Sequence, residues 1–241
     1  MNLHELKILM LALLIGVYQG CLANTYSVAV DIGHSKQNPG ATSARGKPEF
    51  DFNRDLASIL QQVLSADNIM SFSIGEHGDI VDAKQRSAIA NAQNARFFVS
   101  IHHDSAQLKY FKIWRWQDID RPYCDQFSGF SLFVSRKNPQ LQKSLHCARM
   151  IGQALRQKGF TPTHHHAEPI AGENRTWADQ QNGVYYYDNL AVLKTTNMPA
   201  VLIEAGVIVN RNDEKMLEQF STRHRIASAI IQGIRDCKVL D

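Results

Sequence analysis

The 241-residue sequence holds no run of lysines and arginines, no internal repeat and no low-complexity tract. Charge of one sign is also scarce: 26 Lys and Arg stand against 23 Asp and Glu, a formal balance of +3. So weak a field gives no ground for a nucleic-acid partner, and none is expected; it suits an anionic polymer or surface. Long apolar runs are limited to residues 8–17. That run is too short to span a bilayer as a mature helix, so no transmembrane segment is expected in the mature chain.

The same run lies behind Lys7, partly offset by Glu5, and ahead of the small residues Cys21 and Ala23. This is the layout of a secretory signal, so residues 1–23 are excluded from the fold and 24–241 are taken as one mature domain, periplasmic or secreted. Cys21 also offers a lipoprotein anchor, but Tyr18-Gln19-Gly20 fits the required motif poorly. Of the four cysteines, Cys124, Cys147 and Cys237 remain in the mature chain. An oxidising compartment then allows one disulfide and a spare thiol, or none, with all three pairings open.

What is present is a hydrophobic fraction of 44%, enough for one sizeable core. Val28-Ala-Val-Asp-Ile-Gly-His34 is an apolar run ending in Gly and His. It reads as a buried parallel strand whose carboxyl end carries an imidazole, where open α/β sheets build their sites. Phe97-Phe-Val-Ser-Ile-His-His103 and Val201-Leu-Ile-Glu-Ala-Gly206 repeat the form, ending in histidines and in a carboxylate. Three strand ends bearing His, His and Glu could converge on one point.

Between them lie helical patterns. Leu56, Ile59, Leu60, Val63 and Leu64 predict a helix from Asn53, capped by Asn53 or Asp51. A strand is expected over 69–74, then a helix over 81–93 with Ala88, Ile89 and Ala92 inward. A strand over 129–135 and a long helix ending near Gly159 follow. Residues 160–183 read as loop, with His164-His165-His166 solvated, and with extra metal binding or lining of the substrate groove as the other readings. A short helix capped by Asn210 and an amphipathic helix through Ile226, Ile230, Ile231 and Ile234 close the chain. The alternation predicts an α/β fold: a mostly parallel twisted sheet of about six strands with helices on both faces. Residues 106–128 break the rhythm with mixed aromatics and cations, and are expected as an insert beside the site.

Asp31-Ile-Gly-His34, Glu49 ahead of a helix, Arg86 with Ala90-Asn91, Ser100-Ile-His102, and Pro199 to Glu204 through Asn210 occur in that order. Together they resemble the zinc-dependent N-acetylmuramoyl-L-alanine amidases, over nearly all the mature chain. The resemblance implies that His34, Glu49 and His102 hold one Zn²⁺ per chain and that Glu204 is the catalytic carboxylate. It implies peptidoglycan as substrate, cut at the amide between N-acetylmuramic acid and the L-alanine of the stem peptide. The chemistry agrees: two neutral imidazoles and one carboxylate leave the ion a net positive charge and an open position.

His103 competes with His102 as ligand, but neighbours on a strand point to opposite faces. The resemblance favours His102 and leaves His103 as a substrate contact. Asn182-Gly183 stands where the family has Arg-Gly, which makes Asn182 a second candidate for substrate binding. Arg86 and Asn91 are read as braces for the loops around the site. No separate wall-binding region is visible, so an activating or targeting protein partner is a further expectation. Two other readings are a zinc peptidase acting on stem peptides and a non-catalytic wall-binding module; the second has no use for Glu204.

Overall fold

A computed structural model describes residues 27–241. The expected signal segment, with Cys21, lies outside the described residues. Seven strands form one sheet in the order β2-β1-β3-β9-β6-β8-β7. Its parallel half is β1 (Val28–Ile32), β2 (Ser71–Ile74), β3 (Phe97–Asp104) and β9 (Ala200–Val207). The other half is mixed: β6 (Ser131–Val134) runs antiparallel to β9, while β8 (Val184–Tyr186) is parallel to β6 and antiparallel to β7 (Trp177–Asp179). The sequence led us to expect about six strands. The surplus comes from β7 and β8, three residues each, too short for alternation to show against the polar residues around them.

The two faces of the sheet are covered unequally. Val28, Val30 and Ile32, Phe97, Val99 and Ile101, and Val201 and Ile203 point to one face. Against them pack α1 (Glu49–Ala66), α3 (Leu141–Gln157) and α6 (Phe220–Asp236), giving the main core. The alternate residues Ala29, Phe98, Ala200 and Leu202 meet a thinner layer, α2 (Ala83–Ala92) and α4 (Ala191–Lys194). Period-two alternation along the strands thus sends one set of side chains to a thick face and the other to a thin one. Cys147 in α3 is bonded to Cys237 just past α6, and Cys124 is a buried free thiol.

Two expected helices differ from the observed ones. α1 starts at Glu49 rather than Asn53, so Asp51 and Asn53 lie inside it and cap nothing. Pro48 takes the N-cap position with φ −65° and ψ 147°, presetting the chain's entry. The buried stripe runs back through Phe52, four residues before Leu56, a turn that the expected start leaves out. In α2 the buried residues are Arg86, Ser87 and Ala90, while Ala88 and Ala92 are exposed. The inward side of α2 combines the Arg86–Asp31 ion pair with apolar contact through Ala90 and Ile89.

The insert forms a separate hairpin, β4 (Lys112–Trp116) with β5 (Ile119–Tyr123). Asn210 caps α5 (Arg211–Leu217) as expected, its side chain accepting from the N–H groups of Asn212 and Asp213. No helix among the described residues is long and apolar enough to cross a membrane.

Candidate metal centre

His34, Glu49 and His102 meet at the carboxyl ends of β1 and β3. Glu49 is the first residue of α1, so its carboxylate sits at the positive end of the helix dipole. Its Oε2 lies 2.9 Å from His34 Nε2, and its Oε1 lies 3.0 Å from His102 Nδ1. The two imidazoles are edge-on, with centroids 4.9 Å apart. Burial alone would raise the Glu49 carboxyl, but the hydrogen bonds and charges of both imidazoles hold it far below the usual carboxylate range.

Two glycines make room for this trio. A Cβ on Gly33 would come within 2.2 Å of the His102 ring. A Cβ on Gly40, whose φ is +79°, would come within 2.4 Å of Glu49 Oε2. His34 itself has a φ of +69°, a conformation sparsely populated by residues with a side chain. That backbone is held by Arg86, which donates to the carbonyl oxygens of His34 and Ile32. Arg86 is anchored in turn by Asp31 at 2.8 Å, and Asp31 accepts from Ser100 Oγ at 2.6 Å. Asn91 braces the neighbouring loop, donating to Thr195 O and accepting from Asn197 N. The expectation that Arg86 and Asn91 act as braces describes these contacts.

The donor set suits a borderline cation such as Zn²⁺: two imidazole nitrogens and one carboxylate, with outer partners that orient them. Ala41 N–H donates to Glu49 Oε2 at 3.0 Å, and Asn53 Nδ2 donates to Oε1 at 3.2 Å. The imidazoles keep 31% and 17% of their side-chain surface. They open on a cavity of about 200 Å³ whose lining includes Val81, Leu190, Val192 and Leu202.

Glu204 pairs with His102 across β3 and β9 and shares its face. Its Oε2 is closed off from solvent and has no hydrogen-bond partner. Burial, and then the charges of Asp104 and Glu49, push this carboxyl well above the usual range. A cation among the trio would act in the opposite sense. The arrangement offers three donor side chains that could hold one ion, beside a fourth carboxylate that can carry a proton.

His103 and Asn182 do not fit the substrate contacts expected of them. His103 is buried on the thick face, with Nδ1 2.8 Å from Asn53 Oδ1 and its ring 5.5 Å from Phe52. Burial pushes its pKa down to about 3, so it is a neutral core residue. Asn182 lies in the turn between β7 and β8, its amide bound to Asp179 and Arg156. The insert packs on the loop leading into Glu49: Trp114 Nε1 donates to Ala44 O at 3.0 Å, and Trp116 lies under Arg45. Asn53, a candidate cap by its sequence, instead holds both Glu49 and His103; its signal is its place four residues after Glu49, one turn along the same helix. His165 and His166, expected to be solvated, are buried at 3% and 8% exposure.

The family model described as N-acetylmuramoyl-L-alanine amidase matches residues 28–236. A probable amidase AmiB of Haemophilus influenzae is 24% identical over 227 residues, covering 86% of this chain and 51% of the relative. A probable cell wall amidase LytH of Staphylococcus saprophyticus is 46% identical over 211 residues, covering 87% of this chain and 57% of the relative. The chain thus spans little more than half the length of these two proteins. Among solved structures, the Mycobacterium smegmatis amidase Ami1 superposes with a TM-score of 0.68 at 21% identity, covering 87% of this chain and 95% of that one. That likeness concerns the fold, a sheet and helices in the same arrangement. By the match of its family model across almost every described residue, the chain belongs to the N-acetylmuramoyl-L-alanine amidases, enzymes that hydrolyse amide bonds of peptidoglycan.

Proposed function

We propose that this chain is a Zn²⁺-dependent amidase that cuts the bond between N-acetylmuramic acid and the L-alanine of the stem peptide, with one Zn²⁺ held by His34, Glu49 and His102. The observation that carries the reading is the convergence of these three side chains beside Glu204, whose carboxylate has an unpartnered oxygen. When bound, the ion supplies Lewis-acid polarisation of the scissile carbonyl and makes water at the site more acidic. Glu204 takes the proton of the attacking water and returns it to the leaving amine nitrogen. Asn53 and the Ala41 N–H fix the orientation of Glu49. Arg86 keeps His34 in its left-handed backbone conformation by holding its carbonyl oxygen.

Residues 1–23 act in this reading as an export signal, leaving 24–241 in the periplasm or outside the cell. The Cys147–Cys237 disulfide supports an oxidising compartment. A partner that activates or targets the enzyme belongs to the same reading, and the exposed Leu108, Ile113 and Ile119 offer apolar surface to it. Digestion of purified peptidoglycan followed by mass analysis tests the reaction. Free stem peptides with an L-alanine amino terminus, and intact glycan strands, are expected. Cuts between stem-peptide residues would identify a peptidase instead, and new reducing ends a glycosidase.

A further inference from the structure

A second group of metal-ligand side chains stands on the thin face, apart from the trio. Asp104 ends β3, and His165 and His166 lie in a 3-10 turn over residues His165–Ala167. His166 Nε2 is 2.7 Å from Asp104 Oδ2, and His165 Nε2 is 3.4 Å from the same oxygen. Adjacent residues on a strand diverge, as His102 and His103 do. In a 3-10 turn they are about 120° apart, so both rings can reach one point. The ring centroids are 4.0 Å apart.

Each of the three side chains is held from behind with one atom left for the common point. His166 Nδ1 is 2.8 Å from Glu173 Oε2, and Gln107 donates to the other oxygen of Glu173 at 2.8 Å. His165 Nδ1 is 2.8 Å from Thr163 Oγ1. Ser105 N–H donates to Asp104 Oδ1 at 2.8 Å, leaving Oδ2 for the cluster. Ligating histidines are held in this way, through the nitrogen that faces away from the ion. His165 Nε2 is buried and has no hydrogen-bond partner. A buried polar nitrogen without a partner is costly, and a cation that takes its lone pair would supply one. Asp104 and His166 each retain 10% of their side-chain surface, so the cluster is not sealed from solvent.

We propose that Asp104, His165 and His166 form a second metal site, taking a divalent first-row transition metal such as Zn²⁺ through two imidazole nitrogens and one carboxylate oxygen. The donor set is that of the first site, and such sets hold cations of this class in preference to Mg²⁺ or Ca²⁺. His164 is outside the cluster; its ring packs on Trp177.

The test is the metal content of the whole protein, stripped with chelator, reloaded with excess Zn²⁺, desalted and analysed by element. Wild type should hold two ions per chain, and His34→Ala one. The paired variant His165→Ala/His166→Ala should hold one, and His164→Ala two. A wild type that saturates at one ion, with none left in His34→Ala, would overturn the proposal: the cluster would then be a protonated His166 bridging Asp104 and Glu173. Two ions retained by the paired variant would overturn it as well. If the paired variant does not fold, the comparison of wild type with His34→Ala still decides. A single ion that survives His34→Ala and is lost from the paired variant would support this site while removing the first.

Discussion

The two faces of the sheet do different work, although each strand supplies both with alternate residues. On the thick face β3 sends Phe97, Val99, Ile101 and His103 into a core sealed by three long helices. On the thin face the same strand sends Phe98, Ser100 and His102 toward two shorter helices. His102 and Glu204 lie on the thin face, and Glu49 joins them from the first turn of α1, round the carboxyl ends of the strands. Stability is concentrated where apolar burial is deepest. Reactive groups stand where the covering layer is too thin to exclude water and substrate. His102 and His103 are neighbours in sequence and show the division within a single peptide unit.

The strongest way to break the contrast is to remove a ligand from the thin face. His34→Ala should lose the ion from the first site and all measurable amidase activity, while the thermal transition reports an intact fold. A variant that stays active would mean that the thin face is not where the chemistry occurs. Next in size, Glu204→Gln keeps the volume but cannot accept a proton, and should lower turnover by about 10²–10⁴-fold with bound metal unchanged. Loss of metal in that variant would make Glu204 a ligand.

Arg86 sharpens the comparison, because it gives the thin face a structural element of its own. Its side chain and that of Asp31 are 4% and 1% exposed. Arg86→Ala leaves a buried carboxylate with no ion partner, at a cost of about 3–5 kcal/mol in denaturant unfolding. Arg86→Lys should recover only part of that, since one ammonium cannot reach both Asp31 and the carbonyls of the His34 loop. Equal stability of the Ala variant and wild type would refute the bracing role.

The smallest effect belongs to the thick face. His103, with a folded pKa of about 3 against an ordinary 6.5, stays neutral while the unfolded chain takes up a proton. Its contribution is therefore intact above pH 6.5 and lost as pH falls toward 3. Between pH 7.5 and pH 5 the loss should be about 2 kcal/mol. His103→Gln should remove that part of the acid sensitivity, and unfolding midpoints at the two pH values would measure it. An unchanged pH slope would mean that His103 takes up a proton in the folded protein as well.

Legibility in the sequence followed the same division. α1, α3 and α6 declared themselves through apolar residues at helical spacing, because each buries a hydrophobic stripe on the thick face. α2 did not: its buried residues are Arg86, Ser87 and Ala90, two of the three polar, and Ala88 and Ala92 face solvent. The three strand ends pointed to His34, His102 and Glu204, since apolar runs that stop at a polar residue mark where a sheet meets its site. Glu49 came from the resemblance alone, and the helix start that presents it was placed four residues too late. His103 was given to the substrate because nothing in the residue itself tells which face of the strand it joins. The burial of His165 and His166 is not legible in the sequence, because Asp104, their shared partner, is brought to them by the fold from another strand.

The three tryptophans of the chain are placed as built-in optical probes. Trp114 and Trp116 stack at 5.2 Å beneath Arg45, on the loop that leads into Glu49. Trp177 stacks at 3.8 Å on Tyr185, which also packs on His166. A Trp177→Phe protein would emit only from the hairpin beside the first cluster, and a Trp114→Phe/Trp116→Phe protein only from the wall of the second. The natural emission of the chain can therefore be divided between the two ends of one face without attaching a dye to either.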